Sequence, residues 1–142
     1  IPWTADDGHG WGTPTWLPFV TDAAALAADQ QEGDEASMLS LYRRLLALRR
    51  SSDALRAGSQ NAVDVGAGAG DGGGPDGAGG GTADHVVAWA RRFEAEELII
   101  AVNFGATDAV VDLRGHVIEG SVRRDVAFDG CLAADEAVIL RR

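Results

Sequence analysis

Two regimes of hydrophobic spacing divide the chain. Between Asp34 and Arg50, Met38, Leu41, Leu45 and Leu48 recur at three- and four-residue steps, with Leu39, Tyr42 and Leu46 widening the stripe. That spacing predicts one amphipathic helix over residues 35–51. Asp34 is placed to cap its start, with Asp34 and Glu35 at the positive end of the helix dipole and Arg49 and Arg50 at the negative end. A stripe this wide must pack against something, and the weak strands that follow do not account for all of it. The helix is therefore expected to be the last element of a larger body.

From residue 59 the period becomes strand-like. Strands are predicted near Asn61–Val65, His85–Phe93, Glu97–Phe104, Ala109–Leu113, Ser121–Ala127 and Ala137–Arg141. The short polar link Glu94-Ala95-Glu96 joins the second and third as a hairpin. Leu98-Ile99-Ile100-Ala101-Val102 is apolar throughout, so its strand is expected to be central and covered on both faces. Several short strands at regular spacing predict a small antiparallel sandwich. Trp89 and Phe93, four apart, share one strand face and read as core.

Two segments lack periodicity. Residues 1–33 hold Trp3, Trp11 and Trp16 and three of the four prolines, and a loop this long in a compact protein is usually functional or poorly ordered. Buried tryptophans favour the first. Residues 66–81 contain ten of the nineteen glycines and no large apolar side chain, which predicts a flexible insertion. The G-x-G-x-x-G at Gly68, Gly70 and Gly73 opens no helix and is followed by no Gly-Lys, so no phosphate or dinucleotide site is expected there.

Composition narrows the function classes. At 142 residues there is room for one domain and little more, and Ile1 is no initiator residue, so the chain is expected to begin inside a longer protein. Net charge is −10 with arginine as the only cation, an acidic surface that repels a phosphate backbone and argues against nucleic acid. Arginine without lysine, among abundant Ala, Gly and Asp, points to a GC-rich bacterial genome. No apolar run reaches the roughly 18 residues of a membrane span. The single Cys131 excludes an internal disulfide and is compatible with a cytoplasmic setting.

Several segments together resemble the C-terminal end of the retaining α-amylase/α-glucosidase family of glycoside hydrolases, in its oligo-1,6-glucosidase and α-glucosidase branch. Ile1-Pro2-Trp3 is similar to the end of that branch's Arg-x-Pro-x-Pro-Trp segment, and Trp16-Leu17-Pro18 to its Trp-Leu-Pro. The run Ser37-Met38-Leu39-Ser40-Leu41-Tyr42-Arg43-Arg44-Leu45-Leu46-Ala47-Leu48-Arg49 resembles its final barrel helix, and Ala54-Leu55-Arg56-Ala57-Gly58 the turn after it. Val87–Arg91, Leu98–Phe104 and Glu136–Leu140 resemble strands of its C-terminal sandwich. The alanine-rich stretch Thr21–Gly33 and the glycine insertion depart from the pattern.

The resemblance implies an α+β fragment. Residues 1–58 would be the rim loop and last helix of a (β/α)₈ barrel, and residues 59–142 a C-terminal β-sandwich carrying the insertion. Such a barrel needs about 250 residues, so most of it cannot fit in this chain. The family's nucleophile and acid, carboxylates about 5–5.5 Å apart, lie on barrel strands upstream of what this chain matches. No catalytic residue, cofactor or metal ligand is therefore assigned here. Asp6-Asp7 and the Glu94, Glu96, Glu97 group read as solvated loop carboxylates, and His9, His85 and His116 stand too far apart for a metal. Asn103, before Phe104-Gly105, is expected to bond turn backbone.

The three loop tryptophans would chiefly pack the loop onto the barrel, with Trp3 and Trp11 the candidates for sugar contact. The implied partners are the parent barrel and an α-gluco-oligosaccharide substrate, with no nucleic acid and no membrane. The alternative is a stand-alone or appended carbohydrate-binding module for α-glucan, using sandwich aromatics Trp89, Phe93, Phe104 or Phe128. Replacing residues 66–81 by a two-residue Asn-Gly turn should hold stability or raise it by about 1–2 kcal/mol, since loop-closure cost falls with length. Urea unfolding checks this, and a clear loss would show that the insertion has a role.

Overall fold

The computed structural model describes residues 1–66 and 83–142; the glycine-rich segment expected at 66–81, apart from Gly66, lies outside the described residues. The chain forms two bodies, Ile1–Leu46 and Ala47–Arg142. It is mostly antiparallel β-structure with few helices, the small sandwich that the strand spacing predicts.

In the first body a long irregular segment leads to the short helix α1 (Ala28–Gln31) and the start of α2 (Met38–Ser51). The segment's beginning is tied to α1 by backbone bonds, Ala28 N to Pro2 O at 3.0 Å and Asp29 N to Trp3 O at 3.1 Å. Ala23 and Ala27 are buried between such turns. The cap of α2 differs from expectation. Asp34 spends its carboxylate on its own turn, accepting from Ala36 N at 2.9 Å, while the Ser37 hydroxyl accepts from Ser40 N at 3.2 Å and the Ser37 carbonyl from Leu41 N. Ser37 is the residue whose oxygen satisfies an orphan amide of the first turn, so it is the N-cap and the helix starts three residues later than the spacing suggested.

In the second body, Ser52 caps α3 (Asp53–Ala57) by accepting from Leu55 N at 3.1 Å. The strands are β1 (Ser59–Ala62), β2 (Val86–Phe93), β3 (Glu96–Asn103), β4 (Ala109–Val110), β5 (His116–Gly120), β6 (Val126–Ala127), β7 (Cys131–Leu132) and β8 (Ala137–Arg141). Six form one sheet in the order β1-β2-β3-β8-β5-β6, with every pairing antiparallel, and β4 pairs with β7 as a second layer. The β2–β3 hairpin and β8 stand where the sequence put them. The expected strand 121–127 does not form as such: β5 ends before it and only Val126–Ala127 pairs. The cause is Arg123, whose guanidinium turns into a buried carboxylate, and Asp125, which adopts φ 54°.

Alternation along β3 explains the layering. Ile99 and Ala101 face Leu140 and Val138 across one pairing and Ala90 and Ala88 across the other. All of these but Ala90 join Val111, Leu113, Val117 and Leu132 in the hydrophobic core. The other face of β3 presents Leu98, fully buried, and α3 lies on that face against β2 and β3 with Ala54 fully buried as well. β3 is therefore central and covered on both sides at this end, as its unbroken apolar run implied.

Polar side chains fix α3 in place. Arg91 donates from Nε to Ala54 O at 3.1 Å, at the carbonyl side, and Glu96 accepts from Ala54 N at 2.9 Å, at the amide side. That amide bond, with the Ser52 hydroxyl and the Arg141 charge, holds the Glu96 carboxyl below its ordinary value against the opposing effect of burial. Gly58 follows α3 with an ordinary φ of −65°, yet a Cβ there would lie 2.4 Å from Ala54 O and 2.8 Å from Arg92 O. Gly58→Ala should therefore destabilise the fold by about 1–3 kcal/mol, read by urea or thermal unfolding. A neutral result would mean the α3–β2 approach is looser than described. Because the Glu96 pKa is lowered in the folded state, its contribution is fully present above the unfolded pKa and fades as pH falls through the folded one. Glu96→Gln should accordingly lose stability at neutral pH and show a shallower decline on acidification, measured as unfolding midpoint against pH.

Candidate functional site

The irregular segment of the first body holds both sequence-designated residues, Trp3 and Trp11. Its conformation starts with Asp6, which accepts from the Thr4 hydroxyl at 2.9 Å and from Gly8 N at 3.0 Å. The Thr4 bond chiefly holds the Asp6 carboxyl below its usual range. His9 then turns left-handed, φ 48°, donates its backbone amide to Asp6 O and stacks edge-on against Phe19 with ring centroids 4.4 Å apart. Gly10 follows at φ 75°, where a side chain is strained and a Cβ would lie 2.9 Å from Trp3 Cβ. The backbone amide of Trp3 donates to His9 O at 3.0 Å, closing the loop.

This loop brings Trp11 into two adjoining concavities. One, of about 520 Å³, is lined by Asp7, Trp11, Thr13 and Phe19 among others. The other, of about 400 Å³, adds Ile1, Trp16, Leu17 and Pro18 to Trp11 and Phe19. Trp11 Nε1 donates to Ile1 O at 2.8 Å, which fixes the ring while leaving its indole half exposed. Trp3 is equally exposed but lines neither hollow, its Cβ lying against Gly10. Trp16, 93% exposed, is the least packed of the three.

The carboxylates expected to serve loops have more defined roles. Glu97 accepts from Arg92 at 2.7 Å and from Arg142 at 3.1 Å, and its carboxyl is held low chiefly by the Arg92 bond. Glu96 serves α3, and Glu94 occupies the hairpin turn at φ 49°. His9, His85 and His116 remain in separate places, and among the described residues no three His, Cys, Asp or Glu side chains come together as a metal ion requires. No helix among them is long and apolar enough to cross a membrane. Asn103, buried, bonds backbone throughout: it donates to Thr107 O and Ala133 O at 2.9 Å and accepts from Gly105 N.

One charged group escaped sequence reasoning. Glu136 is buried beside β8 and accepts from Arg123 Nε at 2.9 Å and from Ala133 N at 2.8 Å. Arg123 also donates to Asp129 at 3.0 Å and to the Cys131 carbonyl, and lies over the Phe128 ring. Burial works against its charge, but Asp129 and Glu136 outweigh that and raise its pKa, while Asp129 is held low by the Cys131 amide and then by Arg123. Burial, with Asp108 next, pushes the Cys131 thiol up and keeps it protonated, a poor nucleophile. This is a brace with all its bonds used within the fold. Arg123-Arg124-Asp125 falls within the expected strand Ser121–Ala127, and no local pattern couples it to a glutamate thirteen residues on.

No family model matches the chain. In sequence it is similar to a probable alpha-glucosidase of Rhizobium meliloti (strain 1021), 42% identical over 60 residues that make up 42% of this chain and 11% of that protein. In fold it is similar to the trehalulose synthase MutB of Pseudomonas mesoacidophila MX-45, with a TM-score of 0.74 and 23% identity, covering 99% of this chain and 24% of that one. A MutB variant in complex with the substrate sucrose gives a TM-score of 0.75 and 22% identity, covering 99% and 24% of the two chains. The chain thus spans about a quarter of the solved structures, and its match about a tenth of the curated relative. At such identities the solved structures share the fold alone. Sequence and fold together bear out the resemblance to the C-terminal part of an α-glucosidase-family enzyme.

Proposed function

We propose that this chain is the C-terminal segment of a retaining α-glucosidase acting on α-linked gluco-oligosaccharides. Residues 1–58 are the last rim loop and last helix of its (β/α)₈ barrel, and residues 59–142 a sandwich that stabilises the barrel. The reacting carboxylates lie outside the segment, the setting is the cytoplasm, and Trp3 and Trp11 are the side chains offered to sugar.

One observation supports this most. None of the fourteen residues of α2 is buried, although it carries Met38, Leu39, Leu41, Tyr42, Leu45, Leu46 and Leu48. Met38 is 61% exposed and Tyr42 60%. Each such side chain contributes roughly 1.5–3 kcal/mol when fully buried, so a helix of this kind is built for a partner that the described residues do not supply. The sheet face beyond α3, with Val87 exposed and Trp89, Ile100 and Ile139 half-buried, has the same character.

The rival reading, a sandwich that itself binds α-glucan, is less well supported. Phe104 is exposed, but Phe93 and Phe104 flank opposite ends of β3 and Trp89 is half-buried, so these aromatics form no flat pair for a glucan chain. Purified residues 1–142 are expected to give no turnover of an aryl α-glucoside. The complete enzyme is expected to hydrolyse it with retained anomeric configuration, followed by proton NMR of the first-formed sugar. Turnover by the chain alone, or inversion by the complete enzyme, would contradict the proposal.

A further inference from the structure

The two ends of the six-stranded sheet are finished differently. At one end β6 has two residues and follows Arg123-Arg124-Asp125, so brevity and charge close that edge to further pairing. At the other end β1 has no such protection. Ser59-Gln60-Asn61-Ala62 carries no charge and no proline, its register with β2 runs without a bulge, and all four residues are exposed.

The pairing of β1 determines which of its backbone groups point outward. Val63 N donates to Ala88 O at 3.0 Å, and bonded pairs alternate along an antiparallel ladder, so Asn61 with Ala90 and Ser59 with Arg92 are bonded pairs too. The amides and carbonyls of Gln60 and Ala62 therefore face away from β2. Among the described residues they have no partner. The Gln60 side chain is already fixed, its Oε1 accepting from Arg91 at 3.2 Å.

We propose that this edge pairs with the same edge of a second copy, antiparallel about a two-fold axis at Asn61, joining two sheets into one. The segment is self-complementary in that register. Gln60 of each copy meets Ala62 of its partner as a bonded pair, Asn61 meets Asn61, and Ser59 meets Val63, so no like charges are opposed. Just past the ladder, Asp64 stands at one end of β1 and Arg92 beside Ser59 at the other. The two-fold brings Asp64 of each copy to the Arg92 end of its partner, whereas parallel pairing sets Asp64 against Asp64. The net charge of −10 on each copy opposes approach, but it is screened beyond about 10 Å at 0.1 M salt, and the paired segment itself is neutral. An edge this short makes an interface below about 1,200 Å², so the dimer is weak and reversible.

Cysteine crosslinking in a Cys131→Ser background reads the register directly. The two copies of residue 61 form a non-bonded pair with Cα atoms about 4.5 Å apart, within disulfide reach. Asn61→Cys should therefore be captured by oxidised glutathione as a disulfide-linked dimer. Gln60→Cys, one residue away, faces Ala62 of the partner, and its own counterpart lies beyond the limit of about 7 Å, so it should stay monomeric on non-reducing gels. Sedimentation of chain 1–142 over a concentration series should show a dimer that Ala62→Pro weakens about tenfold or more. Proline there removes an outward donor and leaves the inward bonds of Asn61 and Val63 in place, with dispersed amide spectra confirming the fold.

Equal crosslinking of the two cysteine variants, or of neither, would overturn the pairing. A dimer that Ala62→Pro leaves intact would overturn it too, and would assign self-association to another surface, the exposed stripe of α2 first. If Ala62→Pro fails to fold, the cysteine variants decide alone. The Asn61→Cys crosslink should also form in the complete protein; its confinement to chain 1–142 would show the edge to be covered there and would overturn the pairing as a property of the whole molecule.

Discussion

The need to hide β3 on both faces governs the second body. From Leu98 to Val102 the strand offers no polar side chain, and each fully buried aliphatic is worth roughly 1.5–3 kcal/mol only while water is kept from it. Ile99 and Ala101 are closed off by the β4–β7 layer, and Leu98 by α3. A five-residue helix has no stability of its own, so the second cover must be fastened from outside. Arg91 and Glu96 do this from the two strands of one hairpin, one bonding the carbonyl of Ala54 and the other its amide. The hairpin thus holds down the lid that shelters it.

At its far end β3 hands the chain to the second layer through a polar device. Asn103 shares the inward face with Ile99 and Ala101, where an unsatisfied amide would be costly. Its side chain instead gathers the backbone of Gly105, Thr107 and Ala133. One residue so connects the outgoing loop with the segment that precedes β8, and the register Ala109 to Leu132 follows nearby. Apolar burial sets the thickness of the sandwich, and a few buried polar groups set which loop lies over which strand.

This division explains what the sequence made legible. β2, β3 and β8 carry five to eight residues of alternation or unbroken apolarity and were readable within a residue or so. β4, β6 and β7 have two residues each, too few to show any period, and depend on partners distant in sequence. The alternation of Ser121–Ala127 misled because its outcome was decided by the Arg123–Glu136 attraction, a long-range term. The start of α2 was misplaced for a related reason: Asp34 and Ser37 are both good caps, and only the fold shows which oxygen meets an amide of the first turn. In the loop, residue type alone marked Trp3 and Trp11. That one borders a shared hollow and the other does not depends on the left-handed turn at His9 and Gly10.

The Arg123–Glu136 brace bears on how such a sequence can drift over generations. Replacing Arg123 alone leaves the Glu136 carboxylate stranded in the interior, at a cost of about 3–5 kcal/mol, whereas an apolar pair of similar volume is often tolerated or even stabilising. Intermediates with one partner changed are therefore a valley between two acceptable states. Relatives should carry both residues or neither, so that an alignment would show the two positions changing together even though twelve residues of chain lie between them.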